Sequence, residues 1–166
     1  MTSVSPVETF VPYDVGHEVS DFSLPLIDGG IGRFSDYRGK SIVLIFTATW
    51  CPYCGAEAPF LEREVWQKYK NRNVQVLVVD VKEPAELAKR FRDQYGWSFP
   101  VMLDQTAEVA LKFALPKEGL PPEVAIINSH FIIDQEGIVR FRQYLDMEKF
   151  DARARTIVAE LEKLLP

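Results

Sequence analysis

Residues 47–60, TATWCPYCGAEAPF, contain the only two cysteines of this 166-residue chain, Cys51 and Cys54, where one hydrophobic period gives way to another. Upstream, Ser41–Ala48 (SIVLIFTA) is a continuous apolar run rich in β-branched residues, the pattern of a strand buried on both faces. Downstream, Leu61, Val65 and Tyr69 recur four apart, which predicts a helix from Pro52 to about Lys70. Pro52 suits the first helical position, where a missing N–H costs nothing. Cys51 then falls at the helix cap, where unpaired backbone N–H groups and the helix dipole stabilise an anion. A thiolate is such an anion, and cysteines so placed titrate at roughly 3.5–7.5 against about 8.5 for a free thiol. Cys54, one turn inside the helix, is placed to attack a disulfide formed on Cys51.

Two inert readings of the pair are weaker. A CxxC can be half of a zinc site, but no second CxxC exists, and His17 and His130 are far apart and lack paired spacing. No metal is expected. A purely structural disulfide closing so short a loop would add little stability.

Composition bounds the rest. With 47% hydrophobic and 12% aromatic residues, the chain can bury a core within one domain. Nineteen basic against 24 acidic residues give a net charge of −5, and no run of five or more Lys/Arg occurs, which argues against nucleic acid and anionic membranes as partners. No stretch approaches eighteen apolar residues, so membrane insertion is not expected. The start lacks a basic and an apolar signal region, so the chain reads as cytoplasmic as written; a periplasmic or exported protein whose leader has been removed would read the same.

Outward from the cysteines, helical and strand periods alternate. Residues 1–15 show neither period nor caps and read as an N-terminal tail, leaving 16–166 as a single domain. Residues 17–40 read as a hairpin around Asp28-Gly29-Gly30. Asn73–Val81 is a second buried strand, followed by a helix starting at Pro84 with Leu87, Phe91 and Tyr95 on one face. The unit from Ser41 to Val81 is therefore strand, helix, strand, with parallel strands and a right-handed crossover. Phe99–Asp104 predicts a strand, and Thr106–Ala114 a helix with Val109 and Phe113 inward. After the proline-rich Leu115–Glu123, the whole of Val124–Asp134 reads as extended, and Ile138–Tyr144 alternates as a hairpin partner would. A last amphipathic helix is predicted from Glu148 to Leu165, with Phe150, Ala154, Ile157, Leu161 and Leu164 on one side. The class is α/β.

The WCPYC motif between an apolar strand and a helix resembles the thioredoxin superfamily, and its surroundings resemble the TlpA/ResA-like and AhpC/TSA-type redoxins. VGHEVSDFSLPLIDGGIGRFSDYRGKSIVLIF (15–46), FPVMLD (99–104) and HFIIDQEGIV (130–139) are similar to characteristic stretches of those proteins, so the likeness runs from about Gly16 to the C-terminus. It implies a thioredoxin-like fold: a central mixed sheet with helices on both faces, an N-terminal hairpin and a strand/helix insertion. It further implies that Cys51 attacks, that Cys54 resolves, and that the Trp50 indole lies beside the disulfide. The redox-active disulfide would be the only redox group, with no cofactor. Partners would be protein thiols or disulfides and an unidentified electron donor or acceptor, the chain being a monomer or weak homodimer. In ResA-like proteins a glutamate placed as Glu57 is here sits near the cysteines and influences their protonation. A first-turn glutamate also favours any helix through its dipole, and Trp50 could equally be a packing aromatic.

Pro52 and Tyr53 complete the active-site loop, and Pro59, which cannot bond the Gly55 carbonyl, should kink the helix. One departure stands out. Thioredoxin-like proteins carry a cis-proline before the strand that here reads FIID, and this slot falls at Asn128 or Ser129. Pro121 and Pro122 lie too far upstream unless Val124–Asn128 loops out. His130, beside the slot, could tune the thiols or simply pack.

The sequence supports thiol–disulfide exchange over two alternatives, a peroxidase and a non-enzymatic module of the same fold. Peroxidatic cysteines sit in P-x-x-x-[TS]-x-x-C, but here Ala48 and Leu44 occupy the hydroxyl and proline places, with Thr47 and Thr49 to either side of Ala48.

Overall fold

The computed structural model describes residues 11–166. A hairpin of β1 (Ser23–Pro25) and β2 (Ile31–Arg33) turns through Gly29 and Gly30, whose φ angles of +99° and +78° suit residues without a Cβ. Next come β3 (Ser41–Thr47) and β4 (Val74–Val81), buried along their whole lengths, which is why their sequences show no alternation. Between them the chain is helical: α1 (Pro52–Phe60), a π-helical stretch Leu61–Trp66, and one closing turn, α2 (Gln67–Tyr69). The expected disturbance at Pro59 therefore takes the form of a widened helical register just beyond it, where the Gln67 N–H reaches back to the Glu62 carbonyl.

Helix α3 (Ala85–Tyr95) ends at Gly96 in the left-handed conformation and leads to β5 (Val101–Asp104). Short helices α4 (Ala110–Phe113) and α5 (Pro122–Ala125) precede β6 (Ser129–Ile133), β7 (Val139–Gln143) and α6 (Arg155–Leu164). The five-stranded sheet has the order β5-β4-β3-β6-β7; β3 to β5 are parallel, and β6 and β7 are antiparallel to their neighbours. It is a mixed sheet with helices on both faces. Ile45 pairs with His130 on the side of α1, whereas Phe46 and Phe131 face the other side and enclose Phe113 of α4, with ring centroids 5.1 and 4.9 Å from it.

The segment 16–27 closes both edges of this sheet. At β7, Gly16 N–H donates to Val139 (2.8 Å), Val139 N–H to His17 (2.9 Å), and Val19 N–H to Gly137 (2.9 Å). At β5, Ile27 N–H donates to Val101 (3.2 Å) and Leu26 bridges to Met102. The fit is tight: a Cβ on Gly32 would stand 2.8 Å from Leu26 and 2.9 Å from Met102.

Four expectations need correction. The helix expected over Thr106–Ala114 is only α4, because the Asp104 carboxylate accepts the Val109 and Ala110 N–H groups and Ala107 adopts a left-handed turn. Val124–Asp134 is not extended throughout: Pro122 starts the helical turn α5, Asn128 is left-handed (φ +65°), and the strand begins at Ser129. The C-terminal helix starts at Arg155 instead of Glu148, since Asp146 and Asp151 bond nearby backbone N–H groups in turns and Ala154 is left-handed. Finally, Tyr13 and Asp14, read as tail, are joined to the domain. The Tyr13 ring lies 4.8 Å from Phe113, its N–H donates to Lys112 (3.1 Å), and Asp14 pairs with Arg142 (3.2 Å). The first ten residues of that expected tail lie outside the described residues.

Candidate active site

Cys51 ends the loop after β3 in an extended conformation (φ −84°, ψ 115°) and caps α1, its Sγ accepting the Cys54 N–H at 3.3 Å. Pro52 follows at the start of the helix. Both cysteines are free thiols, only 4% and 2% exposed. Their acidities are driven apart. A hydrogen bond from the Cys54 thiol brings Cys51 down to about 7; burial opposes it, the Cys54 and Tyr53 N–H groups assist, and the Glu57 charge opposes weakly. The same hydrogen bond, read from its donor, and burial raise Cys54 well above the ordinary thiol range, with the Thr47 hydroxyl acting against them.

Trp50 is 58% exposed at the mouth of the site. It joins Tyr53, Leu120, Val124, Ile127 and Met147 around an apolar groove of about 190 Å³ that also touches Cys51. The Tyr53 ring packs edge-on against Phe150, 4.9 Å away, which ties the cysteine loop to the segment before α6. Pro59 lies farther along the helix and takes no direct part in this mouth.

The slot at which the resemblance implies a proline holds Asn128. Its N–H donates to the Phe46 carbonyl at 2.8 Å, and its Nδ2 lies 3.8 Å from Cys54 Sγ. Asparagine tolerates the left-handed backbone needed there, and every peptide bond among the described residues is trans. Ser129 is buried, its Oγ unpartnered. His130 Nε2 stands 3.0 Å from each carboxylate oxygen of Glu57, which is 1% exposed. Burial alone would lower His130, but the Glu57 charge and hydrogen bond prevail and raise it, favouring the imidazolium. The pair makes a buried carboxylate tolerable.

A second acidic cluster escaped the sequence reading. Asp80, opposite Thr47 on β4, is buried and pushed up to about 9 by burial, then by the hydrogen bond and charge of Glu83. Glu83 in turn accepts the Thr49 N–H (2.7 Å) and hydroxyl (2.6 Å). The one available signal was a charged residue inside the largely apolar strand VQVLVVDV. Among the described residues, no group of three or more His, Cys, Asp or Glu could hold a metal ion, and no helix is long and apolar enough to cross a membrane.

Residues 15–142 match the AhpC/TSA family. The thiol-disulfide oxidoreductase ResA of Geobacillus kaustophilus is 33% identical over 126 residues, covering 76% of this chain and 67% of that protein. Among solved structures, a candidate protein disulfide isomerase from Bacteroides thetaiotaomicron superposes with a TM-score of 0.77 at 29% identity, covering 92% of this chain and 91% of the other. A thiol:disulfide interchange protein of the thioredoxin family from Chlorobium tepidum does so with a TM-score of 0.68 at 25% identity, covering 87% and 97%. With a strand-to-helix junction that presents the CxxC and a relative that matches 76% of the chain, this chain belongs to the AhpC/TSA family and is a thiol-disulfide oxidoreductase of the thioredoxin fold.

Proposed function

We propose that Cys51 is the attacking thiol and Cys54 the resolving thiol in exchange with a disulfide of a partner protein, the cysteine pair itself carrying the two electrons without another cofactor. The observation that carries this reading is the cap: Cys51 Sγ holds the Cys54 N–H at 3.3 Å and opens onto the apolar groove, while Cys54 sits behind it. Cys51 thiolate attacks one partner sulfur, and the other partner sulfur leaves with the bonding pair. Cys54 then attacks Cys51, giving up its proton toward Glu57 and releasing the second partner thiolate. Trp50, Pro52 and Tyr53 shape the approach for an apolar partner segment. The chain works as a monomer or weak homodimer with a separate protein electron donor or acceptor.

Peroxide chemistry is disfavoured. Ala48 offers no hydroxyl three residues before Cys51, and the neighbouring Thr49 hydroxyl is already engaged by Glu83. Insulin reduction by the dithiol form tests the proposal: turbidity should develop with the wild type and not with Cys51→Ser, and equal activity of that variant would overturn it.

A further inference from the structure

One nitrogen of His130 is left over by the exchange chemistry. Nε2 is committed to Glu57, whereas Nδ1 makes no hydrogen bond of normal geometry although the residue is only 6% exposed; the Gln143 side chain, opposite on β7, is the protein group near enough to help raise the imidazole. His130 also lines a small cavity together with Asn128, Gln143, Asp146, Lys149 and Asp151. Its volume of about 20 Å³ exceeds the ~10–15 Å³ that one water needs, and about half of its lining is polar. Asn128, which also lines the cavity, reaches Cys54 Sγ with its Nδ2 at 3.8 Å. Cys54 and Glu57 stand three apart on α1 and so share a face.

From this arrangement we propose that Glu57 and His130 form a proton path leading from Cys54 to the cavity, with His130 a positioning residue that acts on Cys54 through Glu57. The proposal rests on the exchange reading above. When Cys54 sulfur bonds to Cys51 sulfur, the bond from Cys51 to the partner breaks and its electron pair leaves on the partner sulfur. The Cys54 proton passes to a Glu57 oxygen as the imidazolium gives up its Nδ1 proton to water in the cavity. The pair is neutral overall before and after, so no net charge builds up in the buried site. Re-reduction runs the path backwards. The ordinary preference of His130 for the charged form beside Glu57 agrees with this starting state. The titratable groups facing the pair are Cys51 and Cys54 from α1, and Tyr144, Asp146, Lys149 and Asp151 around the cavity; Ile45 and Gln143, opposite His130 on the flanking strands, carry no charge.

The test uses the reduced full chain and excess 5,5′-dithiobis(2-nitrobenzoate) in a stopped-flow instrument. The first thiolate released reports Cys51 attack, and the second reports Cys54 attack on the mixed disulfide. His130→Gln keeps an amide that can bond Glu57 but cannot relay a proton. Its first release should occur, and its second should slow at least about tenfold near neutral pH. That deficit should close as pH rises and hydroxide takes the proton directly. Glu57→Gln should show the same profile, with the double variant no slower than the slower single one. A second release in His130→Gln within twofold of wild type, or slowed equally at every pH, overturns the proposal. Absence of any first release in wild type overturns the exchange reading and this one with it. Should His130→Gln fail to fold, ring nitrogen shifts of wild-type His130 decide: both nitrogens protonated at neutral pH, with Nδ1–H exchanging readily with water, is expected, and a neutral ring or a protected Nδ1–H refutes the path.

Discussion

Thr49 gives both its N–H and its hydroxyl to the Glu83 carboxylate, at 2.7 and 2.6 Å, two residues before Cys51. This grip fixes the loop entering the active site from a neighbouring strand end, and it holds a carboxylate against Asp80. Because Asp80 is pushed up to about 9 in the fold, against 3.8 ordinarily, the folded state binds the extra proton between those values. Stability therefore falls as pH rises from about 4 to about 9, with a slope of up to about 1.4 kcal/mol per pH unit for a single group. Asp80→Asn, which can still donate to Glu83, should flatten that slope and raise the melting temperature at pH 8. Thermal denaturation from pH 5 to 9 checks it; an unchanged slope would show that Asp80 is ionised.

Cys51 should be modified by iodoacetamide well before Cys54 at neutral pH, since its thiol lies near 7 and that of Cys54 is driven far up. The rate should rise through pH 7 and level off once the thiolate is fully formed. Peptide mass spectrometry after a brief pulse reads the site, and preferential labelling of Cys54 would reverse the assigned roles.

Cys54→Ser should trap the mixed disulfide with a protein substrate, visible as a covalent adduct on non-reducing gels. Hydrogen peroxide should oxidise Cys51 only at the pace of an ordinary thiolate of its acidity, because the preorganised donors worth about 3 kcal/mol each in such sites have no counterpart at Ala48. A rate several orders of magnitude faster, measured by competition, would make the protein a peroxidase.

Removal of residues 1–10 deletes none of the contacts described for Tyr13, whereas removal of 1–15 also deletes its ring from Phe113 and three hydrogen bonds of the residue, with Lys112, Ser20 and Arg142. The longer truncation should cost about 2 kcal/mol and lower Tm by roughly 4–8 °C relative to the shorter one. Equal melting of the two would show that Tyr13 contributes nothing.

The architecture was legible where burial dictates sequence. SIVLIFT and VQVLVVDV have almost no polar residues because both faces of their strands are covered, and Pro52 marks the start of α1. The cysteine cap was legible for the same local reason. Boundaries failed where one side chain outbids the periodic pattern: Asp104 holds the N–H groups at the start of α4, and Asp151 turns a segment whose spacing looks helical. The pairing of Glu57 with His130 joins positions 73 residues apart and depends on strand register, which no local pattern encodes. Tyr13 was misread because a lone aromatic has no period.

The single segment that runs along both outer strands bears on how this protein behaves in a crowded solution. An enzyme whose substrates are protein thiols and disulfides meets other chains at close range, and an unpaired strand border would invite them to add on and nucleate fibres. Here the borders at β5 and β7 are already occupied by the chain's own residues 16–27. Loosening that belt, for instance by replacing Gly32 with a bulkier residue where no space exists, should leave a protein that coaggregates with other chains even with its cysteines intact.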